Sequence, residues 1–298
     1  MYKNLHTMTI AVDIMNVVFG QLAFLSNAIF VIISSMKKEK KKMDQLTIAY
    51  SFGSALVGLG FSFECYECLS LTNGKNFSTK LECMITNPNP TMYAIGQTLI
   101  YFTMLVMSLN CLCILSTEKN RGWSKRITVL EIFFFFIFPV LFVLIACWMS
   151  TLLNNGYKII IEDCYFRTIV TGTFNKLFCV MLLTVSFASV FILIVALFKL
   201  KQEKCKTTGI HIIKIRRNLH MSRQAVKVIT YTLTVLSLPT AIDVYYMYTN
   251  TPFSEIGDFF WPLQPLGLSV LAIWNQIKLI KAKKNIPTTS AACSVKTA

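Results

Sequence analysis

The sequence is short of charge. Only 14% of its 298 residues are Asp, Glu, Lys or Arg, while 54% are hydrophobic. Soluble domains carry roughly 25% charged residues, so a water-exposed fold of this length is excluded and a membrane protein is expected. Acidic residues are scarcer still, 14 against 29 Lys and Arg, for a net charge of +15. In a soluble chain that balance would point to nucleic acid. Here the basic residues fall in short clusters between apolar runs and form no basic face with interleaved aromatics, so no nucleic-acid partner is expected. Histidine is nearly missing. His6, His211 and His220 all lie outside the apolar runs, and no Ser/His/Asp set or metal cluster is visible, so an enzyme is not expected. The ten cysteines lack metal-ligand spacing. Cys65-x-x-Cys68 stands in an apolar segment without a second pair or a nearby histidine, so no metal or other cofactor is expected. Neither a fixed-period repeat nor a similarity between halves is visible. A cleavable signal peptide is also missing: the polar start "MYKNLHT" leads into a run too long for a signal sequence, and the first span is expected to double as the targeting signal.

What the sequence has in abundance is long apolar runs. A bilayer core needs about twenty apolar residues per helix, and seven segments qualify: 8–35, 45–69, 91–116, 127–153, 172–198, 225–249 and 259–280. The fourth contains "IFFFFIFPVLFVLIACW" and the fifth "LFCVMLLTVSFASVFILIVALF", neither of which fits a soluble surface helix. Pro262 and Pro265 interrupt the start of the seventh. The expected fold is an all-α membrane protein, a seven-transmembrane helix bundle over residues 1–285 with a short tail at 286–298.

The basic clusters orient this bundle. With the N-terminus outside, residues 36–44, 117–126, 199–224 with Lys227, and 278–298 are cytoplasmic and hold 23 of the 29 Lys and Arg. The other six are Lys3, Lys75, Lys80, Lys158, Arg167 and Lys176. Cytoplasmic loops carry the excess of Lys and Arg, so an outside N-terminus and a cytoplasmic C-terminus are expected. The run "KKEKKK" at 37–42 is then the first cytoplasmic loop, where its lysines can also attract anionic lipid. Asn76-Phe77-Ser78 is a glycosylation sequon on the outer side in the same orientation. Cys83, before the third span, and Cys164, before the fifth, are also outside, where a disulfide is chemically permitted; two free thiols are the other reading.

Seven spans, an outside N-terminus and cysteines at these two places resemble a rhodopsin-like G-protein-coupled receptor across nearly the whole chain. The short N-terminus, compact loops and degenerate motifs are most similar to the chemosensory receptors of nematodes. In "FLSNAIFVI", Asn27 matches the family's helix-one Asn, with Ser26 where the family has Gly. In "SFGSALVG", Ser54 stands where the family buries an Asp. The family's Asp-Arg-Tyr falls either on Asn110-Cys111-Leu112 or, in a second register of "SLNCLCILSTEKNR", on Glu118-Lys119-Asn120. Both registers lose the Arg. In "VLSLPTAID", Pro239 matches the helix-six proline and Ser237 replaces the family's Trp. A proline there kinks the helix, either simply or as a hinge for the cytoplasmic end. In "GLSVLAIWNQIK" the Asn-Pro-x-x-Tyr motif is lost. The resemblance implies a plasma-membrane, multi-pass receptor coupled to a heterotrimeric G protein.

Charges within membrane spans are costly and usually face the bundle interior. Glu64 and Glu67 share one face of the second span. Asp243 lies one turn outward of Pro239, with Tyr246 three residues on, and Asp13 lies on the first span. Together they predict an outer cavity with acidic and aromatic walls, suited to a cationic or amphipathic small molecule or a short basic peptide. Reach to lipid headgroups is the bland alternative for each. Lys176 is a candidate to neutralise one of the acids, and Glu131, near the cytoplasmic end of the fourth span, is expected to be solvated. The main rivals from other classes are a transporter, which often carries interrupted helices in two related halves, and a seven-span ligand-gated channel, whose cytoplasmic N-terminus the charge count opposes.

Overall fold

The computed structural model describes residues 2–36, 42–70, 78–116, 128–153, 159–160, 166–206, 211–249 and 263–284. These residues are almost entirely helical. In chain order the elements are α1 (Tyr2–Ser35), α2 (Lys42–Ser70), β1 (Ser78–Thr79), α3 (Lys80–Thr86), α4 (Asn89–Ser116), α5 (129–153), β2 (Ile159–Ile160), α6 (Phe166–Ile169), α7 (Gly172–Lys206), α8 (211–249) and α9 (Leu263–Lys284). Among the described residues, six helical stretches are long and apolar enough to cross a membrane: Val12–Ser35, Lys42–Phe63, Asn89–Cys113, Leu130–Leu153, Gly172–Gln202 and Ser222–Thr249. The seventh expected segment does form a helix, α9, and it packs against α1 and α2. It is not among the six apolar helices, because Gln264, Asn275, Gln276 and Lys278 dilute it.

The helices pack around α4, which touches α2, α5, α7 and α8, while α1 lies against α2 and α9. Small residues set the closest approaches. A Cβ on Gly20 would fall 2.7 Å from the Gly58 carbonyl oxygen, and one on Gly58 2.8 Å from the Ala23 Cβ. The α2–α4 contact repeats the arrangement: a Cβ on Gly96 would fall 2.7 Å from the Gly53 oxygen. Without a hydrophobic force between helices in lipid, such backbone-to-backbone contact is what brings spans together.

The two helices with a proline away from their ends, α5 and α8, widen just before it. In α5 the segment Phe133–Ile137 is a π turn and Pro139 follows; in α8 Leu233–Ser237 is a π turn and Pro239 follows. A proline in a regular helix leaves the i−4 carbonyl without its donor and pushes its ring against that carbonyl. The wider turn absorbs the misfit: the Phe138 N–H donates to the Phe133 oxygen and the Leu238 N–H to the Leu233 oxygen. Pro239 is thus preceded by a widened turn, a form of irregularity that the expectation of a kink did not include.

At one end of the bundle β1 and β2 form a short antiparallel ladder, Ser78 opposite Ile160 and Thr79 opposite Ile159. The short α3 follows, started by a capping box: the Glu82 N–H donates to Thr79 Oγ1 at 3.2 Å and the Thr79 N–H to the Glu82 carboxylate at 3.4 Å. This is the ladder end of the bundle. The opposite end carries the starts of α2 and α5.

Candidate functional site

Below the ladder lies an aromatic run. Phe61 of α2 meets Tyr93 of α4 edge to face at 5.9 Å; Tyr93 meets Phe166 of α6 at 5.1 Å. Phe166 meets Phe178 of α7 at 6.1 Å, and Phe178 stacks on Phe174 at 5.8 Å. Phe166, Ile169 and Val170 are buried, so α6 is packed into the bundle. Cys83 on α3 is buried and disulfide-bonded, while Cys164 and Asn76 lie outside the described residues.

A hydroxyl network sits deeper, at the π turn of α8. Ser237, the last residue of that turn, shares a 2.8 Å hydrogen bond with Ser186 of α7 and donates to the Tyr101 hydroxyl of α4 at 3.4 Å. On the same helix the Thr232 hydroxyl pairs with the Tyr50 hydroxyl of α2 at 2.9 Å, and Tyr231 donates its hydroxyl to the Gly267 carbonyl of α9 at 2.5 Å. The six residues 232–237 around the widened turn therefore hold hydroxyl contacts to α2, α4 and α7, and Tyr231 adds α9.

Toward the ladder end from Pro239, α8 runs alongside α7. Asn175 donates its amide to the Met247 sulfur at 3.7 Å, and the Lys176 ammonium sits 5.4 Å from the centre of the Tyr248 ring. Lys176, considered as a partner for an acid, thus lies over an aromatic face. Asp243 is half-buried and close enough to Cys179 to act on it electrostatically. Asp13, Asp243 and Tyr246 are each half-buried and each engaged by another residue of the chain. Glu64 and Glu67 lie on the ladder-end part of α2, with side chains outside the described set.

Of the remaining motif positions, Asn27, Ser54, Asn110 and Cys111 are internal, while Glu118, Lys119 and Asn120 of the second register lie outside the described residues. Asn27 donates its amide to the Ala23 oxygen at 2.9 Å and across to the Leu268 oxygen of α9 at 3.3 Å. Ser54 is fully buried and donates to the Tyr50 carbonyl at 2.9 Å, so the hydroxyl is consumed within its own helix. Asn110 and Cys111 are buried near the opposite end of α4, where the Cys111 thiol meets the Ser222 hydroxyl of α8. Glu131 corrects an expectation. It is not simply solvated: it pairs with Lys42 at 2.5 Å and takes part in a capping box with Thr128, whose N–H donates to its carboxylate at 2.9 Å. The sequence signal for this arrangement, Thr-x-x-Glu ahead of an apolar run, occurs at both 79–82 and 128–131 and escaped the sequence reading.

The sequence reading also passed over three carboxamides. Asn89 and Gln97 on α4 and Gln264 on α9 are each at most 1% exposed, and neither polar atom of any of the three amides has a hydrogen-bond partner among the described residues. Each unpaired buried group costs about 1–3 kcal/mol. Asn89 faces Gly60 of α2, beside Tyr93. These amides and the hydroxyl network give the interior hydrogen-bonding capacity that apolar packing does not need. No family model matches the chain, and no curated protein matches it.

Proposed function

We propose that the chain is a plasma-membrane receptor of seven helices, with α9 as the seventh, the N-terminus outside and the C-terminus in the cytoplasm. Its ligand enters from the ladder end, and its cytoplasmic face signals through a heterotrimeric G protein, as in the rhodopsin-like and nematode chemosensory receptors it resembles. One observation carries the proposal: Ser237 is hydrogen-bonded to α4 and α7 at the same point where the π turn and Pro239 loosen α8. A ligand acts by preferring one helix arrangement over another, and in this reading α8, with its built-in irregularity and hydroxyl contacts, is the helix whose arrangement the ligand biases. Asp243 and Tyr246, one and two turns outward of Pro239, supply the ligand-facing group in this reading, with Asp13, Glu64 and Glu67 contributing acidity at the same end. The bond at Cys83 is assigned to Cys164, and Asn76 to glycosylation.

The test is a screen of small cationic and amphipathic molecules, odorants and short basic peptides on cells expressing the chain with a promiscuous G protein. Asp243→Asn should shift the dose–response of an active compound at least tenfold. An unchanged dose–response in the Asp243, Glu64 and Glu67 variants would overturn the acidic-site assignment. Accessibility of a C-terminal tag from outside intact cells would overturn the orientation. The rival is a transporter, whose sites use helices interrupted at corresponding places in two halves, whereas the π turns before Pro139 and Pro239 leave α5 and α8 continuous. Substrate uptake without G-protein activation would decide for it.

A further inference from the structure

Gln21 lies on the outer surface of α1, in the middle of a candidate span. It is exposed, and within Val12–Ser35 it sits about 4 Å from the midpoint at 1.5 Å per residue. Its carboxamide has no hydrogen-bond partner among the described residues. Exposed threonines elsewhere on the bundle surface satisfy themselves: Thr184 donates to the Val180 oxygen at 2.8 Å and Thr234 to the Tyr231 oxygen at 2.9 Å. Hydrocarbon offers an amide nothing to bond, so one facing lipid at this depth is costly.

The residues around Gln21 form a seam. Ile14, Val18, Leu25 and Ile32 are 48%, 54%, 53% and 61% exposed. With Gln21 and the half-buried Ala28 they fall at alternating spacings of four and three, the heptad pattern that packs one helix along another. A single polar residue at a core position of such a seam fixes register. A carboxamide carries both a donor and an acceptor, so it complements a copy of itself. A two-fold axis along the membrane normal brings two α1 helices together in parallel, with both Gln21 side chains at one depth, each donating an amide N–H to the other's carbonyl.

We propose that α1 is a self-association surface, and that its occupant is the α1 of a second copy of this chain, registered by a reciprocal Gln21 pair. The inference rests on the membrane-embedded bundle of the proposed function and not on ligand binding or signalling. Because Gln21 faces outward, its substitution leaves the bundle's own packing intact.

The experiment uses the full chain in cell membranes. Resistance to alkaline carbonate extraction is checked first; release of the chain would overturn the membrane reading and this one with it. Val18→Cys and Leu25→Cys, both on the seam, are then oxidised in the membrane beside the parent chain and Phe187→Cys, a 67% exposed site on α7. Disulfide-linked dimer is expected from the two seam variants above the parent level and not from Phe187→Cys. Adding Gln21→Leu should weaken the association about tenfold, the scale of one or two interhelical hydrogen bonds in a membrane, and Gln21→Asn should retain part of it. Equal cross-linking at all three sites, or yields untouched by Gln21→Leu, would overturn the proposal. So would single photobleaching steps from the parent chain in a bilayer.

Discussion

The ammonium of Lys42 and the carboxylate of Glu131 form an ion pair at 2.5 Å, with side chains 9% and 22% exposed, joining the first residue of α2 to the first turn of α5. The same carboxylate accepts the Thr128 N–H that starts α5. One acid thus serves an interhelical contact and a cap. Glu131→Gln removes the charge and keeps a side chain of the same length at the cap, whereas Glu131→Ala removes both. Loss of a cap costs about 1 kcal/mol, and stranding a partly buried charge adds about 1–3 kcal/mol. Glu131→Ala should therefore lower the melting temperature in detergent more than Glu131→Gln does. A double-mutant cycle with Lys42→Met should show coupling for Glu131→Gln; strict additivity would count against the pair.

Asn27 is the helix-one motif residue, and its amide bonds across to the Leu268 oxygen of α9. Asn27→Leu should destabilise the bundle by about 0.6–1.7 kcal/mol, the range measured for interhelical hydrogen bonds in a membrane protein. Thermal unfolding in detergent measures it. A larger loss would mean that the branched leucine side chain does not fit the α1–α9 contact.

Ser186 and Ser237 share one hydrogen bond, so their alanine variants should not add. The cycle should show a coupling of about 0.6–1.7 kcal/mol. If α8 is the moving helix of a receptor, Ser237→Ala should also change basal G-protein activation, because it releases both Ser186 and Tyr101. Strictly additive stability losses would sink the network; unchanged signalling alone would sink only its proposed role.

Gly58 and Gly96 allow backbones to meet. Gly58→Leu should cost about 1–3 kcal/mol or prevent assembly, since overpacking a tight contact carries that penalty and the obstacles include the Gly20 carbonyl and the Phe24 N, both backbone. Gly172, with nothing within 4 Å of its built Cβ, is the matched control: Gly172→Ala should leave the melting temperature nearly unchanged.

The helices were legible because a bilayer-length apolar run leaves the backbone few other ways to satisfy its own hydrogen bonds. The α8 irregularity was half legible: Pro239 announced a disturbance, but the π turn upstream depends on how carbonyls at 233–237 find donors, which residue types do not encode. Glu131 was misread because a charge near a span end looks solvated in one dimension, and Lys42, 89 residues earlier, is adjacent only in the fold. Its cap with Thr128 was present in the sequence as Thr-x-x-Glu. Asn89, Gln97 and Gln264 went unremarked because carboxamides carry no charge to stand out in an apolar run, and only burial reveals that their polar atoms are unpaired. The last helix shows the reverse: Gln264, Asn275, Gln276 and Lys278 thin its apolarity, although it packs on α1 and α2 like the others.

The glycine contacts among α1, α2 and α4 divide the molecule mechanically. Three rods pressed main chain to main chain cannot slide without steric collision, so they form a stator. In the receptor reading proposed above, α8 is the part that turns against it; its widened turn is fastened by hydroxyls and by Val235, packed where a Cβ on Gly267 of α9 would fall.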